Sequence, residues 1–166
     1  MAGTGRKKQL ALDTNVLVDL AERKDAAHLF RETFQQRGYL LLITPTVVAE
    51  LDALSCYGEP AQKTAAHRAL DMLFEWSIKP LDLATLQKDI AESFAKRLPL
   101  AGLLPGDEFN DGLILAETSL AEIPLLVTSD KHLLDIDETA LKLAFNDADL
   151  LPVSPVHPRR LLRAMR

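Results

Sequence analysis

The sequence predicts an α/β protein in which helices cover both faces of a parallel sheet. Short apolar segments of strand length alternate with longer segments of helical periodicity, which is the pattern that such sheets produce. Several of the apolar segments end directly in polar, turn-forming residues. The 166 residues, of which 48% are hydrophobic, are enough for one domain with a sizeable core.

The first part of the chain predicts a strand, two helices and a second strand. Residues 9–12 form a short apolar run, and apolar residues then recur at helical spacing over 16–20. A second helical pattern covers 25–37 and stops at Gly38, a residue type that commonly ends helices. The apolar run 39–43 is predicted to be a buried strand of the parallel sheet.

The middle of the chain is predicted to be mainly helical. Thr44 is expected to cap a helix that has Pro45 in its first position. Helical periodicity returns in residues 60–76 and 84–98. Between these helices, residues 78–81 have the composition of a short strand, but their proline disfavours any strand that does not lie at an edge.

The last part of the chain predicts a helix between two strands. Residues 99–106 are predicted to be a loop, and Asp107 is predicted to be the N-cap of a helix over 108–121. The apolar run 124–128 predicts another strand. A final strand is predicted near 150–153, before a basic terminal helix.

Charge is distributed unevenly along the chain, whose formal net charge is −5. Residues 1–8 and 152–166 contain basic residues and no acidic ones. We expect a basic N-terminal tail over 1–8, one domain over 9–155, and a basic C-terminal helix or tail over 156–166. The net charge argues weakly against a nucleic-acid partner, unless several acids converge on cations that attract phosphate.

The sequence also bears on location. No apolar stretch is long enough to span a membrane, and the first residues lead into no signal-like segment. We therefore expect a cytoplasmic protein that has no membrane partner. Cys56 is the only cysteine, so an intrachain disulfide is excluded.

Four acidic residues stand out by their positions. Asp13 and Asp130 each follow an apolar strand, which places them at the edge where parallel sheets bind ligands. Glu50 and Asp111 lie on the apolar stripes of their predicted helices, and a carboxylate in such a position is rarely left without a partner. Each acid has an ordinary alternative, a turn residue or a salt bridge. The four together favour one shared site.

Converging carboxylates repel one another and must take up protons or bind a cation. Two unit charges about 4 Å apart repel by about 4 kcal/mol at an effective dielectric constant of 20. A site with only oxygen ligands suits Mg²⁺ or Mn²⁺ better than zinc. No two of the histidines have the spacing of a zinc motif, and the sequence contains neither a P-loop nor a nucleophile elbow.

Four segments resemble the successive signatures of PIN domains, in order and in spacing. The segments are residues 12–17, 46–51, 110–116 and 127–130, and the resemblance covers about residues 9–155. It implies a three-layer α/β/α sandwich with a central parallel sheet, usually of five strands. It also implies a Mg²⁺- or Mn²⁺-dependent ribonuclease, since most active members of the family are such enzymes. Many members are VapC-type toxins, so an RNA substrate, an antitoxin protein partner and a homodimer are expected.

The resemblance assigns roles to individual residues. The acids that match the family's metal-binding and catalytic carboxylates are Asp13, Glu50, Asp111 and Asp130. Asn15 and either Thr128 or Ser129 resemble the supporting polar groups of the family. Asp107 is a fifth acid near the site, and the helix N-cap is its simpler role. Apolar helical faces in 15–38 and 60–76 also favour the homodimer, because a monomer is not expected to bury them completely.

Two alternatives compete with a PIN nuclease. Asp13 after the first strand and the acids near residues 106–111 resemble motifs of haloacid-dehalogenase-type phosphatases. That family's second acid is Asn15 here, which removes the usual general acid/base, and Glu50 would have no role. The other alternative is a PIN-like module that binds RNA or protein without cutting. Retention of all four acids argues against it.

Overall fold

The computed structural model of the protein describes residues 8–165. Except for Lys8, the predicted N-terminal tail over 1–8 lies outside the described residues. The strands are β1 (Gln9–Leu12), β2 (Leu40–Ile43), β3 (Ile78–Pro80), β4 (Leu125–Val127) and β5 (Ser154–Val156). The helices within 8–165 are α1 (Thr14–Ala21), α2 (Asp25–Gln36), α3 (Pro45–Tyr57), α4 (Pro60–Met72), α5 (Thr85–Leu100), α6 (Phe109–Leu120), α7 (Lys131–Leu134), α8 (Glu138–Asp147) and α9 (Pro158–Ala164).

The strands form one five-stranded sheet in the order β3-β2-β1-β4-β5, and every pairing is parallel. The predicted three-layer α/β/α sandwich with a five-stranded parallel sheet is therefore confirmed. Chain connections run outward from β1 in both directions, so the strand order reverses between β1 and β4. Open α/β sheets bind ligands at such a reversal, beyond the carboxyl ends of the strands. Leu12 of β1 pairs with Val127 of β4, which brings the ends of these two strands to one level.

Both edge strands contain a proline. Pro80 in β3 and Pro155 in β5 are tolerated because an edge strand has one side free of ladder hydrogen bonds. The last strand lies at Ser154–Val156, so the prediction near 150–153 was placed too early. Leu151 in that earlier segment is exposed, whereas the backbone of Val156 accepts a hydrogen bond from the N–H of Thr128 at 2.9 Å. Pairing with β4, rather than local hydrophobicity, decides where β5 forms.

The predicted helices form, with differences at their ends. α5 continues through Pro99 to Leu100, so the predicted loop over 99–106 begins too early. The chain leaves α5 at Gly102, whose φ of +75° is a conformation that glycine adopts without a steric penalty. The short helices α7 and α8 occupy a segment for which no element was predicted.

Thr44 occupies the N-cap position of α3, but its side chain makes no capping hydrogen bond. The hydrogen-bond acceptor for the first turn of α3 comes instead from another helix. Glu117 of α6 accepts hydrogen bonds from the backbone N–H of Thr46 at 3.2 Å and from the Thr46 hydroxyl at 2.8 Å. The start of α3 is therefore fixed by α6, and α3 is the helix that carries Glu50.

The core lies on both sides of the sheet and includes Phe30 and Phe34 of α2, Leu17 and Leu20 of α1, and Phe94 of α5. The apolar faces over 15–38 and 60–76 are mostly buried within the monomer, including the alanines Ala65, Ala66 and Ala69 of α4. Leu29 and Phe74, which lie in these two segments, are nevertheless 54% and 93% exposed, so part of their apolar surface is uncovered in the monomer. No helix within the described part of the chain is both long and apolar enough to cross a membrane.

α5 and α6 approach each other closely at Gly112. A Cβ atom at this position would lie 3.0 Å from the Cα of Ala95 and 3.1 Å from its Cβ. Glycine permits the contact because it has no side chain. Asp111 precedes Gly112, so this close packing also fixes how deeply Asp111 sits in the protein.

Candidate active site

Asp13 lies at the end of β1 and is the N-cap of α1. Its Oδ1 accepts a hydrogen bond from the backbone N–H of Thr14 at 2.7 Å. Its Oδ2 accepts bonds from the Thr128 hydroxyl at 2.7 Å and from the Asn15 amide at 3.2 Å. Burial raises the pKa of Asp13, and these donors and the nearby Asp130 charge modify the shift in opposite directions. The carboxylate is thus held rigidly in one orientation.

Asn15 links the ends of β1 and β4. Its Nδ2 donates to Asp13 and to the Thr128 hydroxyl, at 3.2 Å in both cases, and its Oδ1 accepts from the backbone N–H of Ser129 at 3.0 Å. Thr128 is fully buried, and its oxygen also accepts from the N–H of Asp130 at 2.9 Å. The expected supporting groups therefore meet around Asp13. Thr128 contributes its side chain, whereas Ser129 contributes its backbone.

Asp130 and Asp111 reach the same place from other elements. Asp130 follows β4 and is the N-cap of α7, where its Oδ1 accepts from the N–H of His132 at 2.8 Å. Asp111 lies in the first turn of α6 and is 6% exposed. One carboxylate oxygen from each of Asp13, Asp111 and Asp130 lies within 4.8 Å of the others. Three of the four predicted acids therefore form one cluster at the reversal point of the sheet.

The cluster contains excess negative charge in a partly buried place. Among residues 8–165, no lysine or arginine forms an ion pair with Asp13, Asp111 or Asp130. The pKa of Asp111 is raised to about 9, first by burial, then by a hydrogen bond with Glu108 and by the charges of Asp13, Asp130 and Glu108. Without a cation, Asp111 therefore keeps its proton at neutral pH.

Glu50 lies beside the cluster rather than in it. Its Oε1 accepts a hydrogen bond from the Thr14 hydroxyl at 2.8 Å, so Thr14 connects it to the start of α1. Burial raises the pKa of Glu50, while hydrogen bonds from Thr14 and Asn110 oppose the rise and the charges of Asp13 and Asp130 add to it. Glu50 therefore lies in the electrostatic field of Asp13 and Asp130.

Glu108 is the residue of this region that the sequence analysis missed. It is the N-cap of α6, without a side-chain capping bond, and it contacts Asp111. His132 Nε2 lies 3.9 Å from Glu108 Oε1. The spacing of three residues between Glu108 and Asp111 was an available signal, because residues three apart at a helix start share a face.

The prediction that Asp107 caps α6 is wrong. The helix begins one residue later than this prediction requires, with Glu108 at the N-cap. Asp107 instead lies exposed in a turn that the N–H of Glu108 closes on the carbonyl of Pro105 at 3.1 Å. Asp107 is part of this turn and therefore does not occupy the N-cap position that the sequence pattern predicts for it.

The acid cluster fits a divalent cation. Oδ2 of Asp111 is buried and has no hydrogen-bond partner among the described residues, although a buried carboxylate oxygen normally has one. A cation would supply that partner and would offset the mutual repulsion of three carboxylates. The donors are all oxygen atoms, which suits Mg²⁺ or Mn²⁺.

Together, the fold and the cluster define an α/β protein with a carboxylate site at the reversal point of a parallel sheet. The family model for the PIN domain matches residues 10–139. The chain therefore belongs to the PIN domain family. Membership supports hydrolytic nuclease activity for this chain and removes the phosphatase alternative.

Solved structures with the same fold include proteins of several bacteria. VapBC2 from Rickettsia felis, bound to a DNA fragment from its promoter, matches with a TM-score of 0.60 and 18% identity over 90% of this chain and 98% of that chain. VapBC-1 from nontypeable Haemophilus influenzae matches with a TM-score of 0.57 and 16% identity, covering 91% and 98%. FitAcB from Neisseria gonorrhoeae matches with a TM-score of 0.53 and 18% identity, over 90% of this chain and 98% of that chain.

These identities establish a shared fold and nothing finer. No curated protein sequence gives a significant match to the chain.

Proposed function

We propose that the protein is an endoribonuclease that hydrolyses RNA phosphodiester bonds with Mg²⁺ or Mn²⁺. The observation that carries the proposal is the meeting of Asp13, Asp111 and Asp130 within 4.8 Å, with no basic partner among the described residues. Family membership supports nuclease chemistry at this place. Asp13, Asp111 and Asp130 would hold the cation, and Glu50 would complete the site from α3.

The protein's own residues prepare the site before substrate arrives. Thr14, Asn15 and Thr128 fix the Asp13 carboxylate through three donated hydrogen bonds, so little reorganisation is needed when a cation binds. Thr14 also fixes Glu50 through its hydroxyl. Asp111 must lose its proton on loading, because its pKa is about 9 in the metal-free protein.

A bound Mg²⁺ or Mn²⁺ supplies activation of a water molecule and stabilisation of charge on the leaving oxygen. The expected products of in-line attack are a 5′-phosphate and a 3′-hydroxyl. Asp13, Asp111 and Asp130 would hold the cation between three different elements of the fold. Glu50, whose Oε1 accepts a hydrogen bond from the Thr14 hydroxyl at 2.8 Å, would add a further carboxylate on the α3 side of the site.

The biological setting is also a proposal. The structural neighbours include VapBC and FitAB proteins, which supports a toxin of a toxin–antitoxin pair with an antitoxin protein as partner. We expect a cytoplasmic location for such a protein. A homodimer stays a prediction, which rests on the family resemblance and on the exposed apolar residues Leu29 and Phe74 of the two helical segments.

The decisive experiment is cleavage of single-stranded RNA by the purified protein. We expect cutting with Mg²⁺ or Mn²⁺ and none with EDTA, together with ligatable 3′-hydroxyl ends on the products. The matched control is Asp13→Asn, which keeps the shape of the side chain and should be inactive while folded. Undiminished cleavage in EDTA would refute the cation requirement. Absence of cleavage, together with intact RNA binding, would indicate the non-catalytic PIN-like module instead.

A further inference from the structure

A cavity of about 280 Å³ lies between α1, α2, α9 and the segment that follows β4. Its size is close to the lower limit of about 300 Å³ for small-molecule pockets. Val16 of α1, Phe30 of α2 and Leu162 of α9 give it an apolar floor, and Ser129 forms part of its wall. Ser129 directly precedes Asp130, so the cavity and the cluster are neighbours along one stretch of backbone.

Strand pairing places the remaining wall of the cavity at the active edge of the sheet. Val127 of β4 pairs with Val156 of β5, and β5 is parallel to β4. His157 therefore follows β5 at the level where Thr128 follows β4. α9 starts at Pro158, so its first turn lies at the carboxyl edge that also carries Asp13 and Asp130.

The rim of the cavity carries donors for phosphate. Arg159 lines it, and no ion pair or side-chain hydrogen bond engages Arg159 within residues 8–165. His157 Nδ1 accepts a hydrogen bond from the N–H of Arg159 at 3.1 Å, which leaves the ring proton of a neutral imidazole on Nε2. Lys24 also lines the cavity, but its Nζ lies 2.7 Å from Asp19. Arg159 is thus the rim cation whose charge is not already offset by a nearby acid.

We propose that this cavity is a nucleotide subsite that holds the residue of the RNA strand next to the scissile bond. The inference rests on the proposed function and extends it. Arg159 and His157 donate to the backbone phosphate of that nucleotide. The accessible apolar lining formed by Ala26, Pro158 and Leu162 accepts the apolar surface of its base and ribose. This arrangement explains how a protein of net charge −5 holds a polyanion, since the acid cluster alone would repel it.

The test uses two substitutions at exposed residues of the cavity and a matched control for each. Arg159→Ala removes the rim cation, and Arg163→Ala removes an equal charge from the same helix at a position outside the cavity. Ala26→Phe fills the cavity from its exposed rim, and Ala61→Phe makes the same change in the first turn of α4, away from it. Titration with Mn²⁺ should give the same affinity for all four variants, which shows that the acid cluster is intact.

Steady-state cleavage of single-stranded RNA gives the main readout. Arg159→Ala should raise KM by about tenfold or more with little change in kcat, as expected for loss of one charge-assisted hydrogen bond. The slope of log affinity against log salt should fall by about 0.7, the value of one phosphate contact on a single strand. Ala26→Phe should also raise KM. For the wild-type protein, an abasic nucleotide beside the cleavage point should raise KM, because it has no base to occupy the cavity. Ala26→Phe should remove this difference in KM between abasic and intact RNA.

A binding arm separates this inference from the proposed function. Anisotropy of a labelled single-stranded RNA, measured with Ca²⁺ in place of Mg²⁺, reports occupancy without requiring cleavage. If the wild-type protein never cuts RNA but Arg159→Ala and Ala26→Phe both weaken binding against their controls, the subsite stands and the nuclease proposal fails. If Arg159→Ala and Arg163→Ala behave alike, or Ala26→Phe equals Ala61→Phe, the subsite is overturned.

Discussion

Two carboxylates on α6 are equally buried and differently partnered. Asp111 and Glu117 are each 6% exposed. Oδ2 of Asp111 has no partner among the described residues, and the neighbours of Asp111 are other acids. Both oxygens of Glu117 accept hydrogen bonds, from the backbone N–H and from the hydroxyl of Thr46. One helix thus carries one carboxylate with an oxygen that lacks a hydrogen-bond partner and one carboxylate whose two oxygens are both satisfied.

The difference shows how a buried acid is to be interpreted. Burial raises the pKa of both residues, so the direction of the shift does not distinguish them. For Glu117, the donors of Thr46 and the positive charge of Lys88 oppose that rise. For Asp111, every named neighbour adds to it. A buried acid among donors stabilises the fold, whereas a buried acid among acids indicates a site that a cation completes.

The largest expected effect separates the two residues by activity. Asp111→Asn should lower cleavage by about 100-fold or more, the upper range of what a lost group around a bound metal costs. It should leave the metal-free protein as stable as wild type, or more stable, because asparagine, unlike Asp111, does not have to take up a proton when the protein folds at neutral pH. Cleavage assays beside thermal melts in EDTA measure both effects. Strong destabilisation of the metal-free variant would assign Asp111 a structural role instead.

The raised pKa of Asp111 also sets the sign of a pH effect. Its folded pKa of about 9 lies above the ordinary aspartate value of 3.8, so the folded state binds more protons than the unfolded state between these values. Stability of the metal-free protein should therefore fall as pH rises from about 4 towards 9. Melts in EDTA at pH 5 and pH 8 measure this fall, and Asp111→Asn should reduce it. An unchanged pH dependence in the variant would contradict the assignment.

A smaller effect, on stability alone, is expected at Glu117. Glu117→Ala would leave the buried N–H and hydroxyl of Thr46 without an acceptor, at a cost of about 1–3 kcal/mol for each unsatisfied group. Glu117→Gln keeps one acceptor oxygen and should lose less. Denaturant unfolding with and without Mn²⁺ should show the same loss in both conditions, since Glu117 touches no cluster acid. A loss of Mn²⁺ affinity at unchanged stability would contradict the comparison.

The smallest expected effects concern Glu108 and Asp107, which lie side by side and carry equal charge. Glu108→Gln removes the negative charge that favours protonated Asp111, so the pKa of Asp111 should fall. The loss of stability of the metal-free protein between pH 5 and pH 9 should then become smaller. Cleavage should change by less than about tenfold, below the range for groups that orient metal ligands. Asp107→Asn is the matched control. It should alter neither activity nor, beyond about 0.5 kcal/mol, the free energy of unfolding. If the two variants change stability and cleavage equally, Glu108 acts only through the net charge of the protein.

Patterns within short segments determined much of this protein. The apolar runs that became β1, β2 and β4 and the periodic segments that became α1 to α6 were predictable, because strand and helix periods depend on near neighbours. The signatures around Asp13, Glu50, Asp111 and Asp130 identified the family, which residues 10–139 match. The position of Asp13 and Asp130 at one edge followed from the parallel sheet alone.

Tertiary structure decided the features that depend on distant partners. β5 forms where β4 offers hydrogen bonds, and α3 is capped by Glu117 of α6 rather than by its own Thr44. The hydrogen bond between Thr128 and Asp13 joins residues 115 positions apart. That Glu108 rather than Asp107 is the N-cap of α6 depends on where the turn at Pro105 closes. Local sequence encodes periodicity and turn chemistry. Which oxygen remains without a partner is fixed only when all the surrounding elements have packed.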